Sequence, residues 1–127
     1  GNRDQTAARE AVHFLEILLR RYPYALETAE GERMMHELRT KLAENVILTG
    51  DFYLDRGEFQ AAAERYRTVL NVHPGLGLDA EALFKLGVCY ENLKREDEAL
   101  RLFHVLMENF RETRYAQAAR AHIAASN

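Results

Sequence analysis

Between Glu44 and Pro74 the chain sets a glycine, Gly50, inside an apolar helical stretch and follows it with a tight turn at Arg56 and Gly57. That combination leaves few folds open. The spacing predicts one helix up to about Asp55 and a second from Phe59 that Pro74 closes. A glycine inside a helix costs roughly 1 kcal/mol relative to alanine unless a neighbouring helix must come close. Ala62 and Ala63 give the second helix a flat face for that approach, and Tyr53, Phe59 and Tyr66 fill the space around it, the two tyrosine hydroxyls expected to reach solvent. Gly57 supplies the permissive backbone that folds one helix back along the other.

The unit recurs 37 residues later. Leu83, Gly87 and Tyr90, then Ala99, Phe103 and Leu106, stand where Val46, Gly50 and Tyr53, then Ala62, Tyr66 and Val69, stand in the first copy. A partial copy lies in front, where Ala11, Leu15, Leu18 and Pro23 mirror Ala62, Tyr66, Val69 and Pro74 at an offset of 51. Small and aromatic residues at this period resemble the tetratricopeptide repeat, a helix hairpin of about 34 residues that stacks into a solenoid. The resemblance implies an all-α helical solenoid of about six helices. The longer period is assigned to the connection Gly75–Gly77, and the second copy departs from the pattern with Lys94 for the turn glycine and Arg111 for the closing proline.

Taken in order, residues 6–22 read as the second helix of a truncated repeat, with Ala8, Ala11, Val12, Leu15, Leu18 and Leu19 along one face. Residues 25–74 read as a long connecting helix and a repeat, 78–110 as a further repeat, and 113–125 as a capping helix with Ala116, Ala119, Ile123 and Ala124 facing in. The long helix carries Leu26, Ala29, Met35, Leu38, Leu42 and Val46 as its stripe, and Gly31 is its expected weak point. Asp79, Thr113 and Glu96, Asp97 and Glu98 place acceptors or negative charge at helix starts. The chain reads as one domain and as a piece of a longer protein.

Little in the sequence can carry catalysis or hold a cofactor. Asp+Glu outnumber Lys+Arg by 20 to 17, so no basic excess exists to neutralise a phosphate backbone, and nucleic acid is not an expected partner. A single cysteine, Cys89, excludes an internal disulfide and reads as a small packed side chain. No stretch is apolar for the roughly 20 residues that a bilayer crossing requires. His13, His36, His73, His104 and His122 show none of the i, i+4 pairing of a metal site, and Asp51 with Asp55 read as two solvated acids. No glycine-rich phosphate loop is present. What remains is surface. In a solenoid of this type the first helix of each pair lines a groove, which places Glu44, Ile47, Asp51, Leu54 and Asp55 there from one repeat, and Glu81, Phe84, Val88, Glu91 and Asn92 from the next. A groove of this composition suits a basic or apolar peptide, which gives one reading: a generic repeat adaptor.

A closer resemblance rests on Asp4-Gln-Thr-Ala-Ala-Arg-Glu-Ala11, Arg20-Arg-Tyr-Pro-Tyr-Ala25, the helix Arg33 to Glu44 with its Leu38-Arg-Thr-Lys-Leu-Ala-Glu44 core, and Phe52-Tyr-Leu-Asp-Arg-Gly-Glu-Phe59. Together these resemble the C-terminal half of the BamD family of outer-membrane assembly lipoproteins. The resemblance implies a non-enzymatic scaffold of the β-barrel assembly machinery, held at the periplasmic side of the outer membrane by an N-terminal lipid anchor outside this fragment. It implies docking onto the POTRA domain of BamA next to the membrane, and contacts with other lipoproteins of the machine and with unfolded outer-membrane proteins. Arg65 matches a family arginine at the docking surface, where its guanidinium would meet a partner carboxylate.

Overall fold

The computed structural model describes residues 2–126, less the side chains of residues 2–5, 7, 8, 11 and 26. Six α-helices follow one another: α1 (Asn2–Arg21), α2 (Ala29–Asp55), α3 (Phe59–Val72), α4 (Asp79–Asn92), α5 (Glu96–Asn109) and α6 (Arg114–Ser126), with a short 3₁₀ turn at Ala25–Glu27. Among the described residues there is no strand. Each helix packs on the next, and α4 also touches α6. One continuous apolar core runs from Val46 and Ile47 on α2 through Tyr66 and Phe103 to Ala119 on α6.

The glycine contacts set the hairpins. A Cβ on Gly50 would lie 2.7 Å from Cε1 of Tyr66, and one on Gly87 would lie 2.5 Å from Cε1 of Phe103. Both rings are fully buried and have nowhere to retreat. Each aromatic ring on the second helix of a hairpin therefore lies flat on the bare backbone of the first, the close approach that the repeated glycine predicts.

The turns repeat as closely. Glu58 N–H donates to Tyr53 O at 2.9 Å, and Arg95 N–H donates to Tyr90 O at 2.8 Å. Gly57 has φ +75°, and Lys94, in the corresponding place, is forced to φ +64°. A side chain there clashes with its own carbonyl, so the second turn is formed against local preference. The missing proline at Arg111 changes little: Phe110 ends α5 at φ −133° just as His73 ends α3 at φ −126°, each amide donating four residues back.

Three sequence expectations are corrected. The long helix does break, but at Thr28 and not at Gly31. Thr28 Oγ1 accepts from Gly31 N–H at 3.0 Å and donates to Ala25 O at 2.8 Å, so it caps a 27-residue α2. Gly31 sits in the first turn because any Cβ would strike the Ala25 carbonyl oxygen. Along α2 Met35 and Val46 are buried, whereas Ala29, in the first turn, is exposed. On α6 Ala116 and Ala119 are buried and Ile123 packs on the core, but Ala124 points out, 100° further round the helix. Asp79 stands in the first turn of α4, where its negative charge is expected, and its side chain accepts from Gly75 N–H at 3.0 Å, closing the loop before the helix. Thr113 does cap α6, accepting from Ala116 N–H at 3.2 Å. Ala8, Ala11 and Leu26 lie outside the side chains described.

Gly50→Ala and Gly87→Ala should each destabilise the fold by about 1–3 kcal/mol through overpacking, although alanine is the better helix former. Urea denaturation checks this, and a gain in stability for either would contradict the packing. Lys94→Gly should stabilise by about 1 kcal/mol by relieving the positive φ, read as a higher urea midpoint with an unchanged slope.

Candidate functional site

Two surfaces are built from α2 and its neighbours. The first is the face that α2 and α4 share. It is less open than the sequence predicts, because its polar groups satisfy one another. Tyr66 Oη donates to Asp51 Oδ1 at 2.6 Å, and Lys85 Nζ donates to both Asp51 oxygens, at 2.9 and 3.1 Å, and to Glu81 Oε2 at 2.6 Å. Three helices meet in this network. Burial first, then the hydrogen bond to Asp51, pushes the Tyr66 hydroxyl far above the ordinary tyrosine range, so it remains a donor. For Lys85 burial works against the charge, but the hydrogen bonds and charges of Glu81 and Asp51 outweigh it and hold the ammonium above its usual value. Its stabilisation is therefore complete below the ordinary lysine range and is lost as pH rises through the raised value.

The predicted groove residues thus separate. Ile47 is only 4% exposed and belongs to the core, because it lies one helical turn before Gly50 on the packing face. Asp51 is a half-buried acceptor, not a solvated acid, and the Tyr66 hydroxyl ends on it without reaching water. Leu54 packs against the core. Phe84 is covered by α6, with Tyr115 at 5.9 Å and His122 at 5.3 Å between ring centroids. Glu91 Oε1 is 2.7 Å from His122 Nδ1. Val88 and Glu81 are half-buried, and the Asn92 amide donates to Val88 O at 2.8 Å. Glu44 and Asp55 are exposed. Cys89 is fully buried, and burial pushes its thiol up to about 11, against a lowering pull from Arg67; that side chain is inert.

The second surface lies at the turn between α2 and α3. Arg65 is exposed, with its guanidinium 5.8 Å from the Tyr53 ring centroid. Tyr53 meets Phe52 edge to face at 5.5 Å, and the Arg56 guanidinium stands 4.2 Å over the Phe52 ring. Among the described residues neither arginine has a carboxylate within ion-pair distance. In the sequence Arg56 marks the turn and Phe52 belongs to the family motif, and neither of them nor Leu48 is assigned to a surface, although Leu48 and Phe52 are apolar residues one turn apart and off the core stripe. Among the described residues no three His, Cys, Asp or Glu side chains converge as metal ligands, and no helix is long and apolar enough to cross a membrane.

Two hairpins with the same glycine–aromatic contact at the same register define a tetratricopeptide-like repeat protein. The profile of the YfiO family, described as outer membrane lipoprotein, matches residues 1–101, and the chain belongs to that family. The outer membrane protein assembly factor BamD of Caulobacter vibrioides is 31% identical over 109 residues, covering 86% of this chain and 36% of that protein. BamD of Xylella fastidiosa is 30% identical over 109 residues, 86% of this chain and 37% of that protein. BamD of Neisseria gonorrhoeae is 28% identical over 110 residues, 87% and 41% respectively. The chain thus spans about two-fifths of the length of these relatives.

Asp51→Ala would leave the buried Tyr66 hydroxyl without an acceptor and remove one of the two acids that hold Lys85. A loss of about 1–3 kcal/mol is expected, with Asp51→Asn less harmful because it still accepts from Tyr66. Urea titrations of the two variants check the order.

Proposed function

We propose that this chain is a non-catalytic docking scaffold of outer-membrane β-barrel assembly, and that it docks onto the membrane-proximal POTRA domain of BamA through Arg65. The observation that carries the reading is the exposed Arg65 guanidinium, beside the Tyr53 ring and with no acid of its own among the described residues, on a chain of the YfiO family. A guanidinium in that state offers a planar fork to a partner carboxylate. The names of the relatives, which are assembly factors, support the process. In this reading the protein works at the periplasmic face of the outer membrane under a lipid anchor, and further contacts go to other lipoproteins of the machine and to unfolded outer-membrane proteins. A concave groove for a basic or apolar peptide is the weaker reading, since Asp51, Glu81 and Glu91 are already engaged.

Pull-down of the purified POTRA fragment tests the proposal. Arg65→Glu should reduce capture at least about thirty-fold, as loss of a desolvated charge contact does, while circular dichroism remains unchanged. Failure of the folded wild-type chain to retain the fragment would overturn it.

A further inference from the structure

The repeat itself points to an unfilled position. On α4 and its C-terminal cap, Lys85, Cys89 and Leu93 form a ridge at i, i+4 and i+8, and that ridge is covered. Lys85 reaches back to Asp51, Cys89 is fully buried, and Leu93 packs on the core. The helix packed on that side is α3, whose Arg67 donates to the hydroxyl of Tyr90, the neighbour of Cys89, at 2.9 Å. Thirty-seven residues earlier the same ridge, on α2 and its C-terminal cap, is Leu48, Phe52 and Arg56. Here it is bare: Leu48 is 61% exposed, Phe52 is 51% exposed, and Arg56 is exposed. The helix that would cover it by repeat symmetry is α1. That helix instead sets Leu15, Leu18 and Leu19 against Gly31, Met34 and Met35, at the other end of the 27-residue α2.

We propose that a helix of a partner protein, bearing a carboxylate beside apolar residues, lies along Leu48, Phe52 and Arg56 in the place that α3 takes on α4. A helix is the fitting shape because a ridge with four-residue spacing accepts the side-chain rows of another helix. Charge complementarity selects the acid. Arg56 stands at the C-terminal end of α2, where the dipole favours a cation, and the Phe52 face holds its guanidinium before any partner arrives. Arg65, across Tyr53 on the same side, adds a second guanidinium. A preorganised arginine–aromatic group of this kind is the usual composition of a binding hot spot. This inference rests on the docking side proposed above and extends it to a second anchor and a partner of stated shape.

Photocrosslinking in a Gram-negative envelope tests it, with p-benzoylphenylalanine replacing Phe52 in the full-length chain and, as control, replacing Val105 on α5. The Phe52 probe should join another polypeptide at a helical segment that carries Asp or Glu among apolar residues, and the control should not. Arg56→Ala should lower that yield roughly ten-fold, with Arg56→Lys in between because it retains charge without the planar fork. No product at position 52, a product within the same chain or on lipid, or a yield indifferent to Arg56→Ala would overturn the inference. A product on an acidic helix of a protein other than BamA would sustain the clamp and count against the POTRA assignment. Loss of POTRA capture by Arg65→Glu with no product at 52 would do the reverse.

Discussion

The contact between an aromatic ring and a bare helical backbone governs this fold. Where Tyr66 lies on Gly50 and Phe103 lies on Gly87, paired helices approach more closely than any Cβ would allow. Everything else in a hairpin adapts to that distance: alanines at 62, 63 and 99 line the seam, and the turn must reverse the chain within a few residues. The ring also contributes area, since a fully buried aromatic supplies more apolar surface than the methyl group it displaces. A glycine that would be a defect in an isolated helix is thus the condition for the tertiary contact that stabilises it.

The two copies solve the same packing problem with different chemistry. In the first, Tyr66 carries a hydroxyl into the interior, and Asp51 receives it. At the corresponding positions of the second, Phe103 has no hydroxyl and Val88 no carboxylate. Acceptor and donor are absent together, as they must be, because removing only one would leave a buried polar group unsatisfied. The polar version also does what the apolar one cannot. Asp51 holds Lys85 of the next hairpin, so the pair that closes one repeat also fixes the register of the repeat that follows.

These differences show how far the sequence can be read. Gly50, Gly87 and their aromatic partners announced the hairpins because steric need leaves a residue signature at fixed spacing. The six helices followed from the same pattern. Ile47 was misplaced because a groove and a core both want a β-branched residue, and only the actual rotation of α2 separates them. Asp51 read as solvated because its partners are 15 and 34 residues away, beyond any local rule. The break at Thr28 is masked in the sequence by Gly31, the poorer helix former of the two, whereas the threonine caps the helix and the glycine makes room for its turn. For Leu48, Phe52 and Arg56 the signal was present in comparison with Lys85, Cys89 and Leu93, but its meaning depended on which ridge a neighbour covers.

The length of α2 explains why that ridge is open. The front half-repeat stands 51 residues from its counterpart where the later copies stand 37 apart, a difference of about four helical turns or roughly 21 Å of axial rise. A rigid helix of 27 residues cannot absorb this by bending, so α1 is carried toward the N-terminal part of α2 and the solenoid loses one lateral contact. The lost contact leaves apolar surface that an ordinary repeat would bury, and the chain places two arginines at its border instead of extending the stripe. Charged borders limit indiscriminate association while leaving the apolar centre available to a complementary acid-bearing surface. The irregularity in the repeat and the open ridge on which the proposed docking side is built are therefore two consequences of one elongated helix.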